Sequence, residues 1–145
     1  MLSVGVDILE VDRMSQGIER YGARFCDRFF TDREQAQCAG RAASLAGRFA
    51  VKEAVSKALG TGIGDVAWKE IEIVNDERGQ PLLNLHGSAA LLAAERGLTE
   101  WAISLSHTQT HAVGMAVAMA GGDQAGRGST PDGRADTTLQ GGKGL

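Results

Sequence analysis

The chain has 145 residues, 43% of them hydrophobic, and a formal net charge of −3. That is the size of one ordinary domain with enough apolar residues for a core, and the acidic balance excludes bulk electrostatic binding to nucleic acid or to an anionic membrane surface. Cys26 and Cys38 are too few for a disulfide framework; with no basic and apolar leader and no apolar run near the ~20 residues that span a bilayer, a cytoplasmic soluble domain is expected.

Residues 2–11, LSVGVDILEV, read as a strand with Asp7 inside an apolar run. A buried carboxylate needs a cation, a metal or several donors, unless it sits at a strand end and reaches water. Residues 12–29 read as one amphipathic helix: Met14, Ile18, Tyr21, Phe25 and Phe29 recur at helical spacing, and Asp12 is the expected N-cap. Its other face carries Arg13, Arg20 and Arg24 within about 40° on the helical wheel, with Arg28 nearby. That stripe is either a solvated face or a docking surface for an acidic partner. Thr31 and Glu34 form a capping box that opens a short helix through about Ala39.

The stretch Ser44–Gly64 reads as a helix over 44–59 ending in a glycine-rich turn, Gly60-Thr-Gly-Ile-Gly64. Leu45, Phe49, Val51, Val55 and Leu59 share one arc that should face a core. Glu53 and Lys57, four apart, are helix-surface neighbours and could be an ordinary ion pair. Residues 67–74 alternate as a half-buried strand, 75–79 form a turn, and 80–85 return as the partner strand with Pro81 at its start. Ser88 is the expected N-cap of a helix over about 88–97 that Gly97 stops. Residues 100–107 alternate Trp101, Ile103 and Leu105 against small residues. Residues 111–120 are small and apolar, as in a strand buried on both faces or at a tight interface. Residues 121–145 hold eight glycines and almost no large apolar groups; they are expected to form a disordered tail beyond a folded domain over 1–120.

His107 and His111 have H-x3-H spacing, but no third or fourth ligand lies nearby in sequence, which argues against zinc. His107, at a strand end after Ser106, suits a site residue or an exposed turn histidine. Two carboxylates without a cysteine ligand suit a hard divalent cation such as Mg²⁺, which takes one or two protein carboxylates and completes its shell with water and phosphate oxygens. With Lys57 beside them, the pattern points to Mg²⁺-assisted phosphoryl-type transfer.

Gly5-Val-Asp7-Ile8, then Arg48-Phe-Ala-Val-Lys52-Glu53-Ala-Val-Ser-Lys57-Ala with Gly60–Gly64, then Ile103-Ser-Leu-Ser-His107 resemble, in order and spacing, the 4′-phosphopantetheinyl transferases, in particular the short holo-acyl-carrier-protein synthases. The resemblance covers about residues 3–119. It implies an α+β fold, with a small antiparallel β-sheet packed on a long central helix and shorter helices. It also implies transfer of the phosphopantetheine arm of coenzyme A to a serine of apo acyl carrier protein, releasing adenosine 3′,5′-bisphosphate, in lipid biosynthesis. By the same resemblance, Asp7 and Glu53 hold Mg²⁺, Lys57 contacts the pyrophosphate, and His107 orients or deprotonates the serine. Arg48 and Lys52 lie near the coenzyme A phosphates, the Gly79–Pro81 turn packs on the adenine end, and Arg13, Arg20 and Arg24 dock the carrier. The implied assembly is a homotrimer with active sites between subunits. Leu9 stands where the longer two-half transferases carry a second carboxylate. The rival readings are a non-catalytic carrier-binding or coenzyme A-binding module and a Mg²⁺ enzyme acting on another nucleotide diphosphate.

Overall fold

A computed structural model describes residues 1–61 and 64–122. The expected tail beyond residue 122, and Gly62 in the expected glycine turn, lie outside the described residues. The element order is β1 (Leu2–Glu10), α1 (Val11–Tyr21), α2 (Ala23–Phe29), α3 (Asp32–Cys38), α4 (Ala42–Ala58), a 3₁₀ turn (Trp68–Glu70), β2 (Ile71–Asn75), β3 (Pro81–Leu85), α5 (Gly87–Glu95), β4 (Glu100–His107) and β5 (His111–Met119). The fold is α+β, with one antiparallel sheet ordered β1-β5-β4 and a separate β2-β3 hairpin. No described helix is long and apolar enough to cross a membrane.

Helix α4 is the centre of the molecule. Leu45, Val51, Val55 and Leu59 are buried, as the periodicity requires. Val51, Val55 and Leu59 face a core shared with β2, α5 and the inner side of the three-stranded sheet, whereas Leu45 joins Met14, Phe30 and Cys38 in a second cluster under α1 to α3. Two glycines let α4 approach this closely. A Cβ at Gly5 would strike the Ala54 carbonyl, and one at Gly114 would strike the Ala50–Val51 backbone. The helix therefore lies on the bare main chains of β1 and β5.

Strand β5 is buried on one face only, which corrects the two-sided expectation: Ala112, Gly114, Ala116 and Ala118 face α4, and the alternate residues face out. With β1 they form an exposed apolar face, on which Leu2, Val4, Val6 and Ile8 are 53–72% exposed beside Val113, Met115 and Met119.

Other local expectations change for physical reasons. The helix expected over 12–29 breaks at Gly22, whose φ of 60° no apolar periodicity reveals. Asp12 lies in the first turn of α1, and Glu10 occupies the cap position without a side-chain bond. The strand expected over 67–74 begins only at Ile71, because Trp68–Glu70 form the 3₁₀ turn. β2 is buried on both faces, Glu72 included. α5 starts one residue early, with His86 rather than Ser88 at the cap position. The Thr31–Glu34 capping box forms as expected.

Candidate active site

Asp7 is on the inner face of β1, level with Gly114 of β5 and therefore against α4. The i,i+4 pair expected between Glu53 and Lys57 is not the ion pair that forms. Lys57 Nζ instead reaches β1, donating to Asp7 Oδ1 at 3.1 Å and to the Val6 carbonyl at 2.9 Å. Among the described residues nothing donates a hydrogen bond to the Glu53 carboxylate. Its pKa is raised, first by burial and then by the charge of Asp7, against a lowering by Lys57. Two carboxylates that repel each other, one of them half-buried and receiving no hydrogen bond from the described residues, are oxygen donors whose repulsion a hard dication would relieve. No group of three or more His, Cys, Asp or Glu side chains converges among the described residues. A hard dication held here would have Asp7 and Glu53 as its protein ligands and would need other oxygen donors to complete its shell.

His107 closes β4 on the same face of the sheet, but two strands away from Asp7, a separation of about 9–10 Å in the hydrogen-bonding direction. It borders a cavity of about 220 Å³ with Ser44, Arg48, Asn75, Gly79, Pro81 and Leu105. Four of the expected coenzyme A residues, Arg48, Gly79, Pro81 and His107, thus share one cavity. Arg48 and Glu53 are five residues apart on α4, so they project about 140° apart. The carboxylate pair and the His107 cavity consequently lie on opposite flanks of one helix.

Lys52 is in neither place, which corrects its expected position near the phosphates. Its Nζ is fully buried and donates to Glu34 Oε1 at 2.7 Å, to the Trp68 carbonyl at 2.9 Å and to the Ile71 carbonyl at 2.7 Å. All three protons are committed, so none is left for a phosphate. Burial lowers its pKa, and Glu34 opposes that shift. Glu34, read from sequence only as a cap, also accepts from Thr31 N and Ile73 N. The capping box was a signal for it, but the box says nothing about the lysine.

His107 and His111 do not converge. His107 pairs across the hairpin with Ala112 and shares its inner face; His111 is on the outer face opposite Glu10. Cys38 is buried, and its thiol is pushed up to about 11, mainly by desolvation, which removes it as a nucleophile.

The arginine stripe is divided by the Gly22 break. Arg13 and Arg20 stay on α1 and Arg24 moves to α2. Arg13 borders an apolar groove with Leu9, Met14, Phe25, Phe29 and Phe49. Arg24 and Arg28 border a second groove with Tyr21, Phe25 and Phe29. The two grooves share Phe25 and Phe29, and each has arginine in its lining. Arg20 lines neither groove and lies over the Tyr21 ring, 5.4 Å from its centroid.

Residues 3–116 match the profile of the 4′-phosphopantetheinyl transferase superfamily. A holo-[acyl-carrier-protein] synthase of Herpetosiphon aurantiacus is 46% identical over 126 residues, covering 82% of this chain and 99% of the relative. One from Moorella thermoacetica is 45% identical over 120 residues, covering 81% of this chain and 93% of the relative. Among solved structures, Helicobacter pylori holo-[acyl-carrier-protein] synthase in complex with coenzyme A superposes with a TM-score of 0.74 at 30% identity, covering 80% of this chain and 99% of that one. The Bacillus anthracis enzyme in complex with CoA (3′,5′-ADP) gives a TM-score of 0.66 at 34% identity, covering 80% and 94%.

Proposed function

The chain belongs to the 4′-phosphopantetheinyl transferase superfamily, and from that premise we propose that it transfers the phosphopantetheine arm of coenzyme A to a serine of apo acyl carrier protein in the presence of Mg²⁺. The observation that carries this reading is the pairing of Asp7 and Glu53 beside Lys57, with His107, Arg48 and Pro81 gathered at a second cavity. Binding alone would not call for two mutually repelling carboxylates, which disfavours the module reading.

Asp7 and Glu53 would hold the ion, which supplies charge neutralisation on the pyrophosphate. Lys57 has one Nζ proton beyond its two bonds to β1 for a phosphate oxygen, where charge grows as the bond to the leaving group breaks. The carrier serine oxygen attacks the phosphorus that bears the pantetheine arm. The oxygen bridging the two phosphates departs with adenosine 3′,5′-bisphosphate, and the serine proton passes to His107 directly or through water. The exposed imidazole, closing β4 at the rim of the cavity, is open to the incoming serine.

A homotrimer makes this site contiguous. The apolar outer face of β1 and β5 is the surface for association. A closed ring brings one subunit's Asp7, Glu53 and Lys57 to the next subunit's His107 cavity, which within one subunit is on the far flank of α4. The acidic carrier docks across the two adjoining grooves, one lined by Arg13 and the other by Arg24 and Arg28; Arg20 adds to the basic surface of α1.

Incubation with apo acyl carrier protein, coenzyme A and Mg²⁺ should add the mass of one phosphopantetheine arm to the carrier, with a matching yield of adenosine 3′,5′-bisphosphate. No mass gain on any of several carriers would overturn the transferase reading. Charge reversal at both Arg13 and Arg24 should raise the KM for the carrier roughly tenfold by slowing encounter and leave the KM for coenzyme A unchanged. A change confined to coenzyme A would move those arginines to the other substrate.

A further inference from the structure

The side chain of Gln37 on α3 meets the open edge of β2 as a neighbouring strand would. Its Oε1 accepts from Asn75 N at 2.7 Å, and its Nε2 donates to the Asn75 carbonyl at 3.0 Å. The same Oε1 accepts from Arg48 Nη2 at 3.1 Å, while Arg48 Nε donates to the Ile73 carbonyl at 3.1 Å. Two of the three guanidinium nitrogens are therefore fixed. Nη1 makes no hydrogen bond or ion pair with the described residues, yet no buried side-chain nitrogen there lacks a partner. Nη1 must therefore reach solvent, although Arg48 as a whole is only 4% exposed. The space beside Arg48 is the cavity of Asn75, Pro81 and His107.

We propose that Gln37 is a positioning residue of the coenzyme A site, orienting Arg48 so that its remaining guanidinium edge meets an anionic oxygen of the co-substrate. The inference rests on the coenzyme A reading above. The amide is the informative part. A carboxylate at this place would take up the charge of Arg48, whereas a neutral carbonyl oxygen orients the guanidinium and leaves its charge for the ligand. Fixing the side chain beforehand also removes an ordering cost that anion binding would otherwise carry.

The test is titration of coenzyme A into the full-length protein in Mg²⁺ buffer, with transfer kinetics on the same samples. Gln37→Leu should raise the Kd and KM for coenzyme A about tenfold, with kcat and the KM for carrier unchanged. Gln37→Glu, which keeps the acceptor for Arg48, should weaken binding by a similar factor because it neutralises the guanidinium, and it serves if the leucine variant does not fold. Gln35→Leu removes side-chain bonds on the same helix, to Asp27 and the Phe30 carbonyl, and should change nothing. In an Arg48→Ala background, Gln37→Leu should alter the Kd by less than about twofold. An unchanged Kd in Gln37→Leu and Gln37→Glu, or an effect equally large without Arg48, overturns the assignment. A wild type whose coenzyme A binding is weakened by these substitutions, but which transfers nothing to any carrier, removes the transferase reading and leaves the assignment standing.

Discussion

Glu53→Gln should lower transfer at least about a thousandfold, the several kcal/mol that a bound dication contributes to stabilising a phosphoryl transition state. The fold should be unharmed. The Glu53 carboxylate receives no hydrogen bond from the described residues, so the isosteric amide removes a charge and no bond. The stability effect should run opposite to the activity effect. Burial and the charge of Asp7 raise the folded-state pKa of Glu53. The stability this group contributes is therefore present below the ordinary glutamate pKa and is lost as pH rises through the raised value. At neutral pH without metal the ionised side chain is a liability, and Glu53→Gln should melt no lower than wild type. Thermal melts in chelator together with steady-state assays in Mg²⁺ check both halves; a variant with wild-type turnover takes Glu53 out of the metal site. The same variant tests the shared site. Co-assembled in equal amounts with His107→Ala, it should recover about a quarter of wild-type activity, since one interface in four joins an intact Glu53 to an intact His107 in a closed ring. A mixture no more active than the two variants assayed apart would return both half-sites to one subunit.

Lys52→Met should destabilise the fold by about 3–5 kcal/mol, because it leaves the buried Glu34 carboxyl without its cation. It also strands the Trp68 and Ile71 carbonyls that Nζ serves. Glu34→Leu should cost a similar amount from the other side, freeing Thr31 N and Ile73 N. The double variant should lose less than the sum, since no unpaired charge remains, yet stay below wild type because the backbone groups are still unserved. Urea denaturation of the four proteins measures this. Losses that add fully would show that the two charges are not coupled. A Lys52→Met protein of unchanged stability and poor coenzyme A affinity would restore the phosphate contact that the buried geometry rules out.

These two residues mark the boundary of what the sequence reveals. Adjacent on the chain, Lys52 and Glu53 sit in one motif, and the motif treats both as site residues. The helix turns 100° between them, and only the packing of α3 and β2 over one flank of α4 decides which becomes structural. Strand alternation and helical spacing place Asp7 on one face of β1 and Glu53 and Lys57 one turn apart on α4, but it was the resemblance to the transferases, not the spacing, that singled these residues and His107 out together. Apolar alternation likewise marked β4. The break at Gly22 was not legible, because the apolar period continues across it while the backbone does not. Nor was the burial of Glu72, since β2 reads as half-exposed until Thr31, the cap of α3, donates to its carboxylate at 2.7 Å. Gln37 carried no signal: its partners are a distant arginine and a strand backbone, and spacing along the chain cannot register either.

Gly5 and Gly114 have a consequence for how the enzyme can change over generations. Most distances inside a protein accumulate from stacked side chains, so each drift in the core adds its own error to the next. At Gly5 the step from β1 to α4 has no such stack. Gly5, two residues before Asp7, bears on the carbonyl of Ala54, the residue after Glu53. The gap between the two carboxylates is thereby gauged by main chain against main chain, with a single joint in the tolerance chain. The surrounding core is free to trade leucine for valine while that gauge stays set.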